Sequence, residues 1–166
     1  MKTILCVADA PAGAEKAISS ITEQVQLHNT RIILFHNIHT RFEILKGGPS
    51  HLQLIEELEE RNEYLELMEA LTGRLKQQNP EAGISYEIEI RHGLLQETVP
   101  ALVLKKQVDL VLLCNQETHP QALLSEIRDK SGCPVLVVPP QSVRSTETNT
   151  AFAAMLQHEL LAETVS

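Results

Sequence analysis

The residues best suited to chemistry gather at four places, each just after an apolar run: Asp9, Asn37 to His39, Arg91 to Gly93, and Cys114 with Asn115 to Glu117. His36, His39 and His92 raise the question of a metal site, because neutral imidazole ligates zinc and nickel well. Residues 36 and 39 of an extended strand point to opposite faces, so they converge only if the strand ends between them. A structural role for His36 is the simpler expectation, and no metal site is predicted. Cys114 is the one thiol placed after a strand, where a nearby helix N-terminus would lower its pKa and make it a nucleophile. A buried, inert thiol is the competing expectation and the favoured one. No nucleophile elbow of the GxSxG type occurs, nor a GxxxxGK[ST] or GxGxxG phosphate loop. The expectation is a protein that is not an enzyme and carries no cofactor.

These residues are positioned by an alternation of short and long apolar patterns. Runs of strand length and β-branched content cover residues 3–8, 31–38, 84–90, 108–114 and 134–138. Val108 to Leu113 and Val135 to Val138 are nearly continuous rather than alternating, as in parallel strands buried on both faces. Between them lie helical periodicities. Residues 11–27 start at Pro11, which suits a first turn, and repeat Ala14, Ala17, Ile18, Ile21 and Val25 on one face. Residues 51–78 carry Leu54, Leu58, Leu65, Met68, Leu71 and Leu75 on what reads as a single apolar face. Glu56, Glu57, Glu59, Glu60, Glu63, Glu66 and Glu69 crowd the others, as a solvated face does. Residues 95–106 bury Leu95, Val99, Leu102 and Val103, with Pro100 in the first turn or at a bend. Residues 119–131 offer Leu123, Leu124 and Ile127.

The order β-α-β-α-β-α-β-α-β predicts an α/β fold: a doubly wound, five-stranded parallel sheet with helices on both faces. Ligands of such folds bind beyond the carboxyl ends of the strands where the strand order reverses, which is where the four clusters fall. Pro139-Pro140 closes the domain at residues 1–140; residues 141–166 read as a polar linker followed by an amphipathic helix carrying Phe152, Met155, Leu156 and Leu160.

Composition narrows the class. The chain has 166 residues, 43% apolar and 22% charged, enough for one domain with its own core. The net charge of -8 and pI near 5.3 disfavour nucleic acid and anionic membrane as partners. Cys6, Cys114 and Cys133 lack the spacing of a disulfide framework or a zinc site and read as reduced thiols. The first apolar run is too short for a signal-peptide core and no run reaches spanning length, so a cytoplasmic protein is expected.

Lys2-Thr3-Ile4-Leu5-Cys6-Val7-Ala8-Asp9 resembles the first strand of the universal stress protein family, which typically ends in aspartate. Ile33-Leu34-Phe35-His36, Arg91-His92-Gly93 with Glu97 and Val99, and Val108-Asp109-Leu110-Val111-Leu112 are similar to later family elements. Cys133-Pro134-Val135-Leu136-Val137-Val138-Pro139 resembles the final strand. The resemblance spans residues 2 to 139 in order. It implies a flavodoxin-like, adenine-nucleotide-alpha-hydrolase-like three-layer sandwich, a role in the stress response, and homodimers formed along the last strand, here Val135, Leu136, Val137 and Val138. An unknown protein partner is also compatible with it.

One branch of the family binds ATP with a glycine-rich loop after strand four, and here this sequence departs. Cys114 and Glu117 occupy the first two glycine positions. Gln121 and Ala122 stand where the Gly-Ser pair belongs. A side chain there blocks the approach of backbone to phosphate, and Glu117 adds like-charge repulsion. The resemblance therefore implies the non-ATP-binding type. Asp9 and Asn37 match positions that contact the nucleoside, and with Gly93, Cys114, Asn115 and Glu117 they make up the candidate ligand set. The alternative is a nucleoside or nucleotide binder using a rebuilt loop after strand four.

Overall fold

Runs of Val, Ile and Leu too apolar to face water pair into one parallel sheet: β1 (Lys2–Val7), β2 (Thr30–Ile38), β3 (Ile84–His92), β4 (Leu110–Leu113) and β5 (Val135–Val137). The computed structural model describes residues 1–8, 11–24, 27–38, 51–78, 80, 83–114, 121–138, 154, 155 and 158. Helices α1 (Pro11–Gln24), α2 (His51–Gln78), α3 (Leu95–Lys106) and α4 (Gln121–Ser131) alternate with the strands in the predicted order. The predicted bounds of α2 and α3 hold, while β4 and β5 are shorter than their apolar runs. Val25, placed in α1 from the sequence, lies outside the described residues. So does nearly all of 141–166, of which residues 154, 155 and 158 are helical.

The sheet order is β3-β2-β1-β4-β5. The chain winds outward from β1 to β3, then returns to lay β4 against the other side of β1, so the order reverses between β1 and β4. Both faces are covered. On one, Ile4, Cys6, Ile32, Leu34, Leu110, Leu112 and Cys114 pack under α1 and α2. On the other, Leu5, Val7, Ile33, Phe35, Val111 and Leu113 pack under α3 and α4. Strand residues of odd and even number are thus buried alike, which is why the runs are continuous rather than alternating.

α2 departs from expectation. Met68, Leu71 and Leu75 are fully buried, but Leu54, Leu58 and Leu65 are exposed and do not share their face. A 28-residue helix is about 42 Å long, whereas the nine residues of its neighbour β3 span about 30 Å. The N-terminal end of α2, before the contact of Glu57 with His92 at the end of β3, runs past the strands and carries Leu54. Leu58 and Leu65 are exposed because they face away from the sheet on which Tyr64 packs. Pro100 lies within α3, in its second turn, and is buried.

Edge strand β3 is only half-buried, and a charged network covers its α3 side. Arg31 donates to the Lys106 carbonyl at the C-terminal end of α3 at 2.6 Å, and Lys106 pairs with Glu87 and, at 3.3 Å, with Glu89. Neighbouring Glu87 is the main reason the Lys106 ammonium is held above its ordinary pKa.

Candidate functional site

The floor of the crevice between β1 and β4 is built from backbone. Ala8 donates its N–H to Phe35 across β1 and β2 (3.1 Å), and Cys114 donates its own to the Val7 carbonyl (2.7 Å). The first turn of α1 closes onto this floor. A Cβ added at Gly13 would stand 3.0 Å from the Cys114 carbonyl oxygen, so glycine is what lets the helix approach the strand end so closely.

Cys114 does not present its thiol to the crevice. The side chain turns into the α1 and α2 side of the core, where its Sγ lies 3.1 Å from Cys6 Sγ and 3.9 Å from the Leu112 carbonyl. The hydrogen bond with Cys6, followed by burial, pushes the Cys114 pKa well up, the opposite of an activated nucleophile.

Asn37 is also engaged internally. Its Nδ2 donates to the Gly93 carbonyl (2.8 Å) and its Oδ1 accepts from the Thr98 hydroxyl (3.3 Å), tying the end of β2 to the β3–α3 turn. Gly93 has φ 130, a conformation that side chains rarely adopt, and so acts as the hinge of that turn. His36 stacks on Tyr64 of α2 with ring centroids 3.5 Å apart, and its Nδ1 donates to the Ala8 carbonyl at 3.2 Å. That placement matches the structural expectation for His36. His92 lies 3.7 Å from Glu57 of α2. Among the described residues, no group of three or more His, Cys, Asp or Glu is gathered to hold a metal ion.

Of the candidate ligand set, Asn37, Gly93 and Cys114 are described: Asn37 and Gly93 are joined by their hydrogen bond at the ends of β2 and β3, and Cys114 stands at the end of β4. Gly93 lines a cleft of about 250 Å3 on the α3 side of the β3 edge with Arg91, His92, Thr98 and Lys105. Asp9, His39, Asn115 and Glu117 lie outside the described residues. Two residues of the floor, Cys6 and Gly13, were not singled out by sequence. A glycine inside a helical pattern was the available signal for Gly13, since it often marks close approach.

At the opposite edge, Val135, Leu136 and Val138 are buried, and Val137 is 44% exposed on the outermost strand of the described sheet. Leu136, Cys133 and Met155 line a common cavity of about 500 Å3, which puts Met155 beside this edge.

A parallel three-layer domain with its order reversing between β1 and β4, and a crevice closed by Gly13 and Cys114, belongs to the doubly wound α/β class. Residues 1–139 match the universal stress protein family, and the chain belongs to that family. It is similar in fold to the hypothetical protein MJ0577 at 21% identity and TM-score 0.61, over 82% of this chain and 94% of that one. The universal stress protein UspA of Lactobacillus plantarum is similar at 17% identity and TM-score 0.56, over 83% and 97%. A family member from Arabidopsis thaliana, solved with AMP bound, is similar at 16% identity and TM-score 0.55, over 91% and 98%. No curated protein matches the chain in sequence. No helix among the described residues is long and apolar enough to cross a membrane.

Proposed function

We propose that this protein is a non-catalytic universal stress protein: a homodimeric regulatory or interaction module of the stress response, joined along β5, without the phosphate cradle of the family's nucleotide binders. The observation that carries this reading is Cys114. A phosphate cradle after β4 needs free backbone N–H groups that a ligand can approach closely. Cys114 stands at the first position of that cradle with its N–H given to Val7 and its carbonyl against α1 at Gly13. Asn37 likewise uses both ends of its amide within the fold.

The dimer follows from the physics of sheet edges. β5 has one strand neighbour among the described residues, and an apolar edge strand with an exposed valine is stabilised by pairing or covering. Size-exclusion chromatography with light scattering tests it. The wild-type chain elutes as a dimer, and Val137→Lys, which puts an ammonium on the edge, elutes as a folded monomer. A monomeric wild type, or a Val137→Lys dimer as tight as wild type, contradicts the reading.

A second reading is favoured by the AMP bound to the Arabidopsis relative, whose fold covers 91% of this chain. In it, Asp9 and the 115–120 connection hold a nucleoside or nucleotide above the same crevice. Asp9→Ala then abolishes adenosine or AMP binding; under the first reading it changes nothing measurable in dimerisation.

A further inference from the structure

We propose that Cys6 and Cys114 form a two-electron redox pair that closes to an intramolecular disulfide when the protein meets a hydroperoxide. The proposal does not depend on whether the crevice holds a nucleotide. Cys6 lies in β1 and Cys114 directly follows β4; Cys6 stands opposite Leu112, so Cys114 sits diagonally from it, two positions further along on the same face of the sheet and 108 positions away in sequence. Their sulfurs rest 3.1 Å apart, against about 2.05 Å in a disulfide bond. The sulfurs need about 1 Å of approach, but the diagonal placement sets the two Cα atoms roughly 8 Å apart, so closure also requires the backbone at Cys114 to shift toward β1.

The chemistry balances with a hydroperoxide as oxidant. Cys114 is 6% exposed at the carboxyl end of the sheet and Cys6 is fully buried, so Cys114 meets the oxidant first. Its sulfur attacks the peroxide, the O–O bond breaks, and Cys114 becomes a sulfenic acid as one water (or alcohol) leaves. The Cys6 sulfur then attacks the Cys114 sulfur, forming the S–S bond and releasing the hydroxyl as a second water. Two thiols have lost two electrons and two protons, and the peroxide has gained them. Burial and the Cys6 contact keep Cys114 protonated at neutral pH, so the first step is slow and accelerates in alkali.

The position gives the bond a consequence. β1 is held between β2 and β4, so Cys6 has little freedom, whereas Cys114 is the residue at which the chain leaves β4 toward α4. Joining the sulfurs draws Cys114 toward β1, and its carbonyl is already in contact range of Gly13. Oxidation therefore acts on the crevice floor and the first turn of α1.

The test is peptide mapping by mass spectrometry of the folded, full-length protein after hydrogen peroxide treatment, with free thiols alkylated under denaturing conditions. The expected product is a monomer-linked Cys6–Cys114 peptide pair lighter by two hydrogens, restored to two thiols by dithiothreitol, with Cys133 outside the bond. Three results overturn the proposal: Cys6 and Cys114 both alkylated after treatment that oxidises Cys133; Cys114 driven to the sulfinic acid with Cys6 still free; or the linked pair forming only after unfolding in urea.

Discussion

Replacing Asn37 by alanine separates a structural role from a ligand-binding one. The wild-type side chain donates to Gly93 at 2.8 Å and accepts from Thr98 at 3.3 Å while only 8% exposed. Thr98 loses little in the variant, because its hydroxyl also donates to the Leu94 carbonyl at 3.1 Å. The Gly93 carbonyl loses its Asn37 donor, but Gly93 is only half-buried and lines a cleft, so water takes the donor's place and the loss is that of an ordinary hydrogen bond, about 0.5–1.5 kcal/mol. The expected loss of stability is about 1 kcal/mol, which in a chain of this size lowers the melting temperature by roughly 2–4 °C. Thr98→Val, which removes only the weaker bond, costs about 1 kcal/mol or less. The double variant falls short of the sum by about 0.5–1 kcal/mol, since the two residues share a bond. Urea denaturation followed by circular dichroism measures all three. A stability unchanged within about 0.5 kcal/mol, together with weakened binding of an adenine nucleotide, refutes the reasoning and returns Asn37 to the ligand.

Three further outcomes follow from local geometry. Gly13→Ala forces a methyl to 3.0 Å from the Cys114 carbonyl; an overpacking cost of about 1–3 kcal/mol outweighs a helix-propensity gain of about 1 kcal/mol, so denaturant melts show net destabilisation. Gln107 ends α3 in the left-handed region at φ 54, and Gln107→Gly, which relieves that strain, stabilises by about 0.5–1 kcal/mol in the same assay. Burial first, and Asp109 second, raise the Cys133 thiol to about 11, so the folded state holds its proton more tightly than the unfolded. That contribution to stability is complete below the ordinary value of 9.0 and is lost as the pH rises through 11. Maleimide labelling of Cys133 in the native protein accordingly still accelerates at pH 10, where the urea-unfolded chain has levelled off.

Strand and helix order were legible in the sequence because the sheet is buried on both faces: Leu110 to Leu113 and Val135 to Val138 have no polar positions to disguise them. That order implied a doubly wound sheet with a reversal somewhere; its place between β1 and β4 is given by the strand pairing of the structure. What the sequence hid was tertiary. Leu54, Leu58 and Leu65 repeat with helical spacing, as Met68, Leu71 and Leu75 do, and only the packing of α2 on the sheet shows which group is buried. The thiol of Cys114 was expected to be buried, and it is, but its contact with Cys6 depends on the register of β1 against β4, which no local pattern encodes. Asn37 is polar, buried and at a strand end, features shared by a ligand contact and a turn-holding side chain. The carbonyl of Gly93 and the hydroxyl of Thr98, 56 and 61 positions away, supply the partners of the turn-holding role.

The central claim is that the domain works through its surfaces, with no phosphate cradle after β4. Native mass spectrometry of the purified protein, titrated with ATP, AMP and adenosine beside a denatured control, tests it most directly. The account predicts a dimer that carries no nucleotide and takes none up. A stoichiometric adenine nucleotide, retained or titratable on the folded chain, contradicts it and assigns the work of the missing glycines to the connection between β4 and α4.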